Sequence, residues 1–141
     1  FFSPLCWMIE EKLDLAAMQR AADRLLGSHD FSAYARSPAP GEVMTRELRS
    51  LQVQHPVVQP FLAVGPWAQL GEMVCLEVRA NAFLRRMVRM LVANLVEVGR
   101  GRWSETRPQE VLQARNSALS APPAPPQGLF LVHVDYGPDL A

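Results

Sequence analysis

Three arginines, Arg85, Arg86 and Arg89, fall within five residues near the start of a largely apolar run, Ala82 to Val98. At about 100° per residue in a helix, Arg89 lies beside Val92 and Val96, with Arg85 and Arg86 in neighbouring turns. A guanidinium half sunk among apolar side chains needs an anion, because an unpaired buried charge is strongly destabilising. The candidates are a carboxylate or phosphate brought from elsewhere, a structural pair with Glu97 or Asp135, or plain exposure on the helix flank. The surrounding stretch is basic too. Arg79, Arg85, Arg86, Arg89, Arg100 and Arg102 enclose Glu97 as their only acid, a stripe that suits phosphates and equally suits a solvated face.

Other chemistry has thinner support. His29 and Asp30 stand together before Phe31 and place two hydrogen-bonding groups on a loop over the sheet. With no positioned nucleophile, loop chemistry accounts for them as well as a triad does. His29, His55 and His133 are scattered singly, and none is paired at i, i+4 with an acid, so no metal site is expected. Gly99 and Gly101 follow a helix instead of opening one, the wrong order for a dinucleotide site, and no nucleotide cofactor is implied. Cys6 and Cys75 form no CxxC and make a poor disulfide framework, which fits a reducing, cytoplasmic setting.

These groups are carried by a chain of 141 residues, enough for one core-bearing domain over residues 1–141. Apolar content of 49% against 20% charged describes a globular chain, and fourteen basic residues balance fourteen acidic ones, so overall charge gives no support to nucleic-acid binding. The best membrane candidate, Phe83 to Val98, is broken by Arg85, Arg86 and Arg89. Phe1 to Trp7 lacks the basic leader of a secretory signal, and the chain reads as a fragment of something longer.

Periodicity places the elements. Leu15, Met18, Ala22 and Leu25 recur at helical spacing after Asp14, with Gly27 as a C-terminal cap. Leu5 to Ile9 reads as the end of a strand, Glu47 to Gln54 and Met73 to Arg79 as half-buried strands, and Pro56 to Gly71 as a broken connection. Asn81 can cap the long helix Ala82 to Val98, which ends at Gly99; a shorter helix runs from Pro108 to Arg115. A proline-rich linker then releases Leu129 to Tyr136 as a buried strand. This order predicts an α+β fold of the ferredoxin-like, split βαβ kind, an antiparallel sheet with its main helices packed on one face.

Three segments resemble one family in combination. They are Leu26-Gly27-Ser28-His29-Asp30-Phe31-Ser32, the run from Ala80 to Arg89 followed by Leu95-Val96-Glu97-Val98-Gly99, and Gly128 to Tyr136. In order and separation they resemble TruA-type tRNA pseudouridine synthases, over nearly the whole chain. The resemblance implies the C-terminal half of a two-domain enzyme that isomerises uridine to pseudouridine in the anticodon arm of tRNA, with an aspartate nucleophile and no cofactor. It implies that Arg89 pairs with that aspartate, that Leu129 packs against the target uracil, and that His29, Arg85 and Arg86 contact RNA. The family's Arg-Thr-Asp motif and its substrate-facing tyrosine do not occur in these residues. The chain is therefore expected to be inactive alone, to partner the missing N-terminal half and tRNA, and to form a homodimer in the full-length enzyme.

Two rivals come from other classes. An RRM-type RNA-binding module shares the topology, but neither Glu47 to Gln54 nor Met73 to Arg79 offers the aromatics on which such modules stack bases. A dimerisation domain with no site would be marked instead by a large exposed apolar surface.

Overall fold

A computed structural model describes residues 6–36, 38–54 and 73–136. The first helix, α1, spans Leu15–Asp23, and its N-terminus is closed by the Asp14 side chain accepting from Ala17 N at 3.1 Å. Met18, Ala21 and Ala22 form its buried stripe, in register with the spacing that predicts the helix. At Gly27 the chain turns with φ +105, a conformation open chiefly to glycine. Gly27 thus opens strand β1, Gly27–Asp30, and does not cap a helix. The sequence expectation of a loop at His29 and Asp30 is corrected here: both lie in an edge strand too short and polar to show an alternating pattern.

Strand β2, Thr45–Gln54, is central, with β1 and β3, Cys75–Ala80, antiparallel on either side. β1 pairs only from Gly27↔Leu48 to Asp30↔Thr45. Beyond Leu48 the β2 main chain on that side is taken up by α1: the Gln19 carboxamide donates to Leu51 O at 3.0 Å and accepts from Val53 N at 2.8 Å. Backbone polar groups are thereby satisfied where the partner strand runs out. The exposed side chains of β2 and β3 include Glu47, Arg49, Gln52, Cys75, Glu77 and Arg79, a polar face without aromatics.

The long helix α2 spans Met87–Gly99 and starts later than its apolar pattern predicts. Asn81 caps nothing; its Oδ1 accepts from Glu47 N at 2.8 Å and Ala82 N at 3.0 Å, binding the chain to β2. Arg86 then adopts a left-handed φ of 62, which keeps residues 82–86 out of the helix. Helix α3, Arg107–Ala114, carries Pro108 in its first turn and is held by Tyr34 Oη donating to Pro108 O at 2.6 Å. The core joins α1, α2 and the sheet through Met18, Leu25, Phe31, Tyr34, Leu48, Leu51, Met87, Met90, Leu91 and Leu95, all essentially buried. The result is an α+β fold consistent with the ferredoxin-like, split βαβ arrangement.

Two predicted strands are corrected. Cys6–Ile9 lies outside the sheet, and Leu5 lies outside the described residues, as does the whole Pro56 to Gly71 connection. Leu129 to Tyr136 is irregular and exposed, with Leu131 at 79% and Val132 at 91%. Its apolar composition states a preference for burial, but a strand also needs a ladder partner, and none is supplied to it by the described sheet.

Candidate functional site

The late start of α2 puts Arg89 third in the helix, at the end where unsatisfied N–H groups carry partial positive charge. Arg85 and Arg86 occupy the turn just ahead of it, both exposed, and the first turn contains no acidic residue. The main chain of Arg36 meets the same turn, its N–H donating to Arg85 O at 3.3 Å. The Arg36 Nε is buried without a hydrogen-bond partner. Cations are thus concentrated where the helix itself disfavours them, an arrangement that attracts an anion.

Arg89 is half-buried, and its Nε donates to Ala124 O at 2.7 Å while Ala124 N donates back to Arg89 O at 3.0 Å. Among the described residues no carboxylate forms an ion pair with it. Glu97, one of its expected structural partners, is engaged instead by Arg100 at 3.0 Å and Arg102 at 3.5 Å. Leu129 follows five residues after Ala124, about half exposed, with its N–H bonded to Pro126 O at 3.0 Å.

His29 sits apart from this group. It borders a depression of about 200 Å³ shared with Arg24, Asp30, Gln109, Gln113 and Arg115. Its Nε2 lies 2.7 Å from Leu26 O, which makes that nitrogen the protonated one, and its ring meets Phe31 edge-on. Asp30 accepts from Ser32 N at 2.9 Å. Hydrogen bonding from Ser32 holds its carboxyl below the usual range, with Arg115 at 3.9 Å adding to the effect. No group of three His, Cys, Asp or Glu side chains among the described residues is placed to hold a metal ion. No helix among them is long and apolar enough to cross a membrane.

Sequence reasoning overlooked Asn94, the only fully buried polar side chain in the described core. Its Nδ2 donates to Met90 O at 2.7 Å and to Ser120 Oγ at 2.8 Å. One polar residue within the apolar stretch Leu91 to Val96 was the available signal.

Comparison with known proteins places the chain in a family. A family model described as tRNA pseudouridine synthase matches residues 21–137. Among curated relatives, the tRNA pseudouridine synthase A of Myxococcus xanthus is 39% identical over 130 residues, covering 92% of this chain and 44% of the relative. That of Brucella ovis is 36% identical over 130 residues, covering 92% of this chain and 46% of the relative. The chain spans less than half the length of these relatives. With a match across most of its length, the chain belongs to the tRNA pseudouridine synthase family.

Proposed function

We propose that this chain is the C-terminal domain of an enzyme that isomerises uridine to pseudouridine in the anticodon arm of tRNA without a cofactor. The reaction breaks the N1–C1′ bond, forms a C5–C1′ bond and releases the C5 proton, while N1 takes up a proton from solvent, so that product and substrate are isomers. In this reading the nucleophilic aspartate comes from the remainder of a protein as long as the relatives, and the domain completes the wall around it. Arg89 faces that aspartate, keeping it ionised and oriented. Leu129 supplies an apolar surface against a uracil that has left its stack. Arg85, Arg86 and His29 contact the RNA backbone, and the full-length enzyme works as a cytoplasmic homodimer.

The observation that carries the reading is Arg89 itself: half-buried at the positive end of α2, held by a carbonyl, and paired with no carboxylate among the described residues. The polar outer face of β2 and β3 gives an RRM-type module no stacking platform. Tritium release from tRNA labelled at uridine C5 tests the reading. The pure 141-residue chain should release none, while the intact synthase turns over. Comparable rates from the two would remove the division of chemistry between halves.

A further inference from the structure

The segment Ser120-Ala121-Pro122-Pro123-Ala124-Pro125-Pro126 lies along α2 as a strap, and its few N–H groups are used selectively. Ala121 N donates to Asn94 Oδ1 at 3.5 Å, and Ala124 N donates to Arg89 O at 3.0 Å. The prolines between and beyond them have no N–H to satisfy. Three residues of extended chain at about 3.1 Å each cover a distance comparable to five helical residues at about 1.5 Å each. Pinning Ala121 at Asn94 therefore brings Ala124 level with Arg89, running antiparallel to the helix. Asn94 grips the strap a second time through Ser120 Oγ at 2.8 Å, while its bond to Met90 O holds the carboxamide against its own helix.

We propose that Asn94 is a positioning residue for the reaction: it sets the strap on α2, and the strap's Ala124 carbonyl sets the plane of the Arg89 guanidinium. With Nε occupied by that carbonyl, the end-on pair of Nη groups is the fork offered to a carboxylate. The inference rests on the role given to Arg89 above. Asn94 touches neither RNA nor the reacting atoms; it acts through Arg89.

The experiment is single-turnover tritium release, alongside tRNA affinity, in the intact synthase. Asn94→Ala should slow the reaction about 10- to 100-fold, the scale of a slightly misplaced catalytic group. Its tRNA affinity should stay within about threefold of wild type. Ala124→Pro, which removes the N–H and displaces the carbonyl while leaving Asn94 in place, should produce the same split, and it serves if Asn94→Ala does not fold. In an Arg89→Ala background, Asn94→Ala should slow the reaction no further, since the group it orients is gone. An equal penalty in both backgrounds would overturn the inference. So would a wild-type rate for either single variant below its melting temperature. A wild-type rate for Arg89→Ala would overturn the reading of Arg89 itself, and is told apart by needing no Asn94 variant.

Discussion

The two ends of α2 carry the same side chain in opposite circumstances. At the C-terminal end, Arg100 and Arg102 share Glu97 and Glu11 in a four-membered network, and Arg100 also lies over the Trp7 ring at 5.5 Å. Cations there complement the negative end of the helix and are neutralised inside the domain. At the N-terminal end, Arg85, Arg86 and Arg89 sit against the positive end, tied to carbonyls or exposed. On the function proposed above, the compensated end serves the fold and the uncompensated end faces an anion from outside the domain.

The largest expected effect lies at the uncompensated end. Arg89→Ala in the intact synthase should lower turnover by about 10²- to 10³-fold, as loss of an electrostatic partner in a preorganised site does, with thermal melts showing a folded protein. Arg89→Lys should also be poor, because an ammonium lacks the planar fork. Near-normal turnover in Arg89→Ala would make this end as structural as the other. The opposite end should respond in stability alone. Glu97→Gln leaves Arg100, whose side chain is only 15% exposed, with a weakened partner, and should cost about 1–3 kcal/mol, read as a lower melting temperature with turnover of the folded enzyme retained. A loss of turnover without a loss of melting temperature would erase the distinction.

Arg86 allows both properties to be separated at one position. Its φ of 62 suits glycine, so Arg86→Gly should relieve about 1 kcal/mol of backbone strain. Removing the cation should at the same time weaken tRNA binding and lower the salt dependence by roughly 0.7–0.9 in the log–log slope. A raised melting temperature with unchanged binding would leave Arg86 a solvated side chain. The smallest effect is off the helix. Asp30 has a lowered folded pKa, so its contribution to stability is present above the ordinary carboxylate value and is lost as pH falls through the folded one. Partial exposure keeps that contribution to about a few tenths of a kcal/mol. Asp30→Asn should therefore flatten the fall in melting temperature slightly below about pH 4, and an unchanged acid limb would show the Ser32 contact to be inert.

Local periodicity made α1, β2 and β3 legible, because each alternates or repeats against a single buried surface. The start of α2 was not: apolar spacing continues back through Ala82, and only the left-handed Arg86 and the commitment of Asn81 to β2 interrupt it. β1 escaped notice because Gly-Ser-His-Asp is a strand by pairing alone. At the site, Arg89 stood out as a charge in an apolar run, whereas its carbonyl partner lies 35 residues away and Asn94's grip on Ser120 spans 26, contacts with no local signature.

The exposed run Leu129 to Tyr136 has a practical consequence for handling the chain in isolation. Six of its eight residues are apolar or aromatic, Asp135 is its only acid, and no proline interrupts it, a composition prone to intermolecular strand pairing. With a formal net charge of zero near neutral pH, the chain has little repulsion to keep copies apart. Colloidal stability, more than folding stability, should therefore set the concentration at which the domain can be studied by itself, and it should improve as the buffer moves away from neutrality.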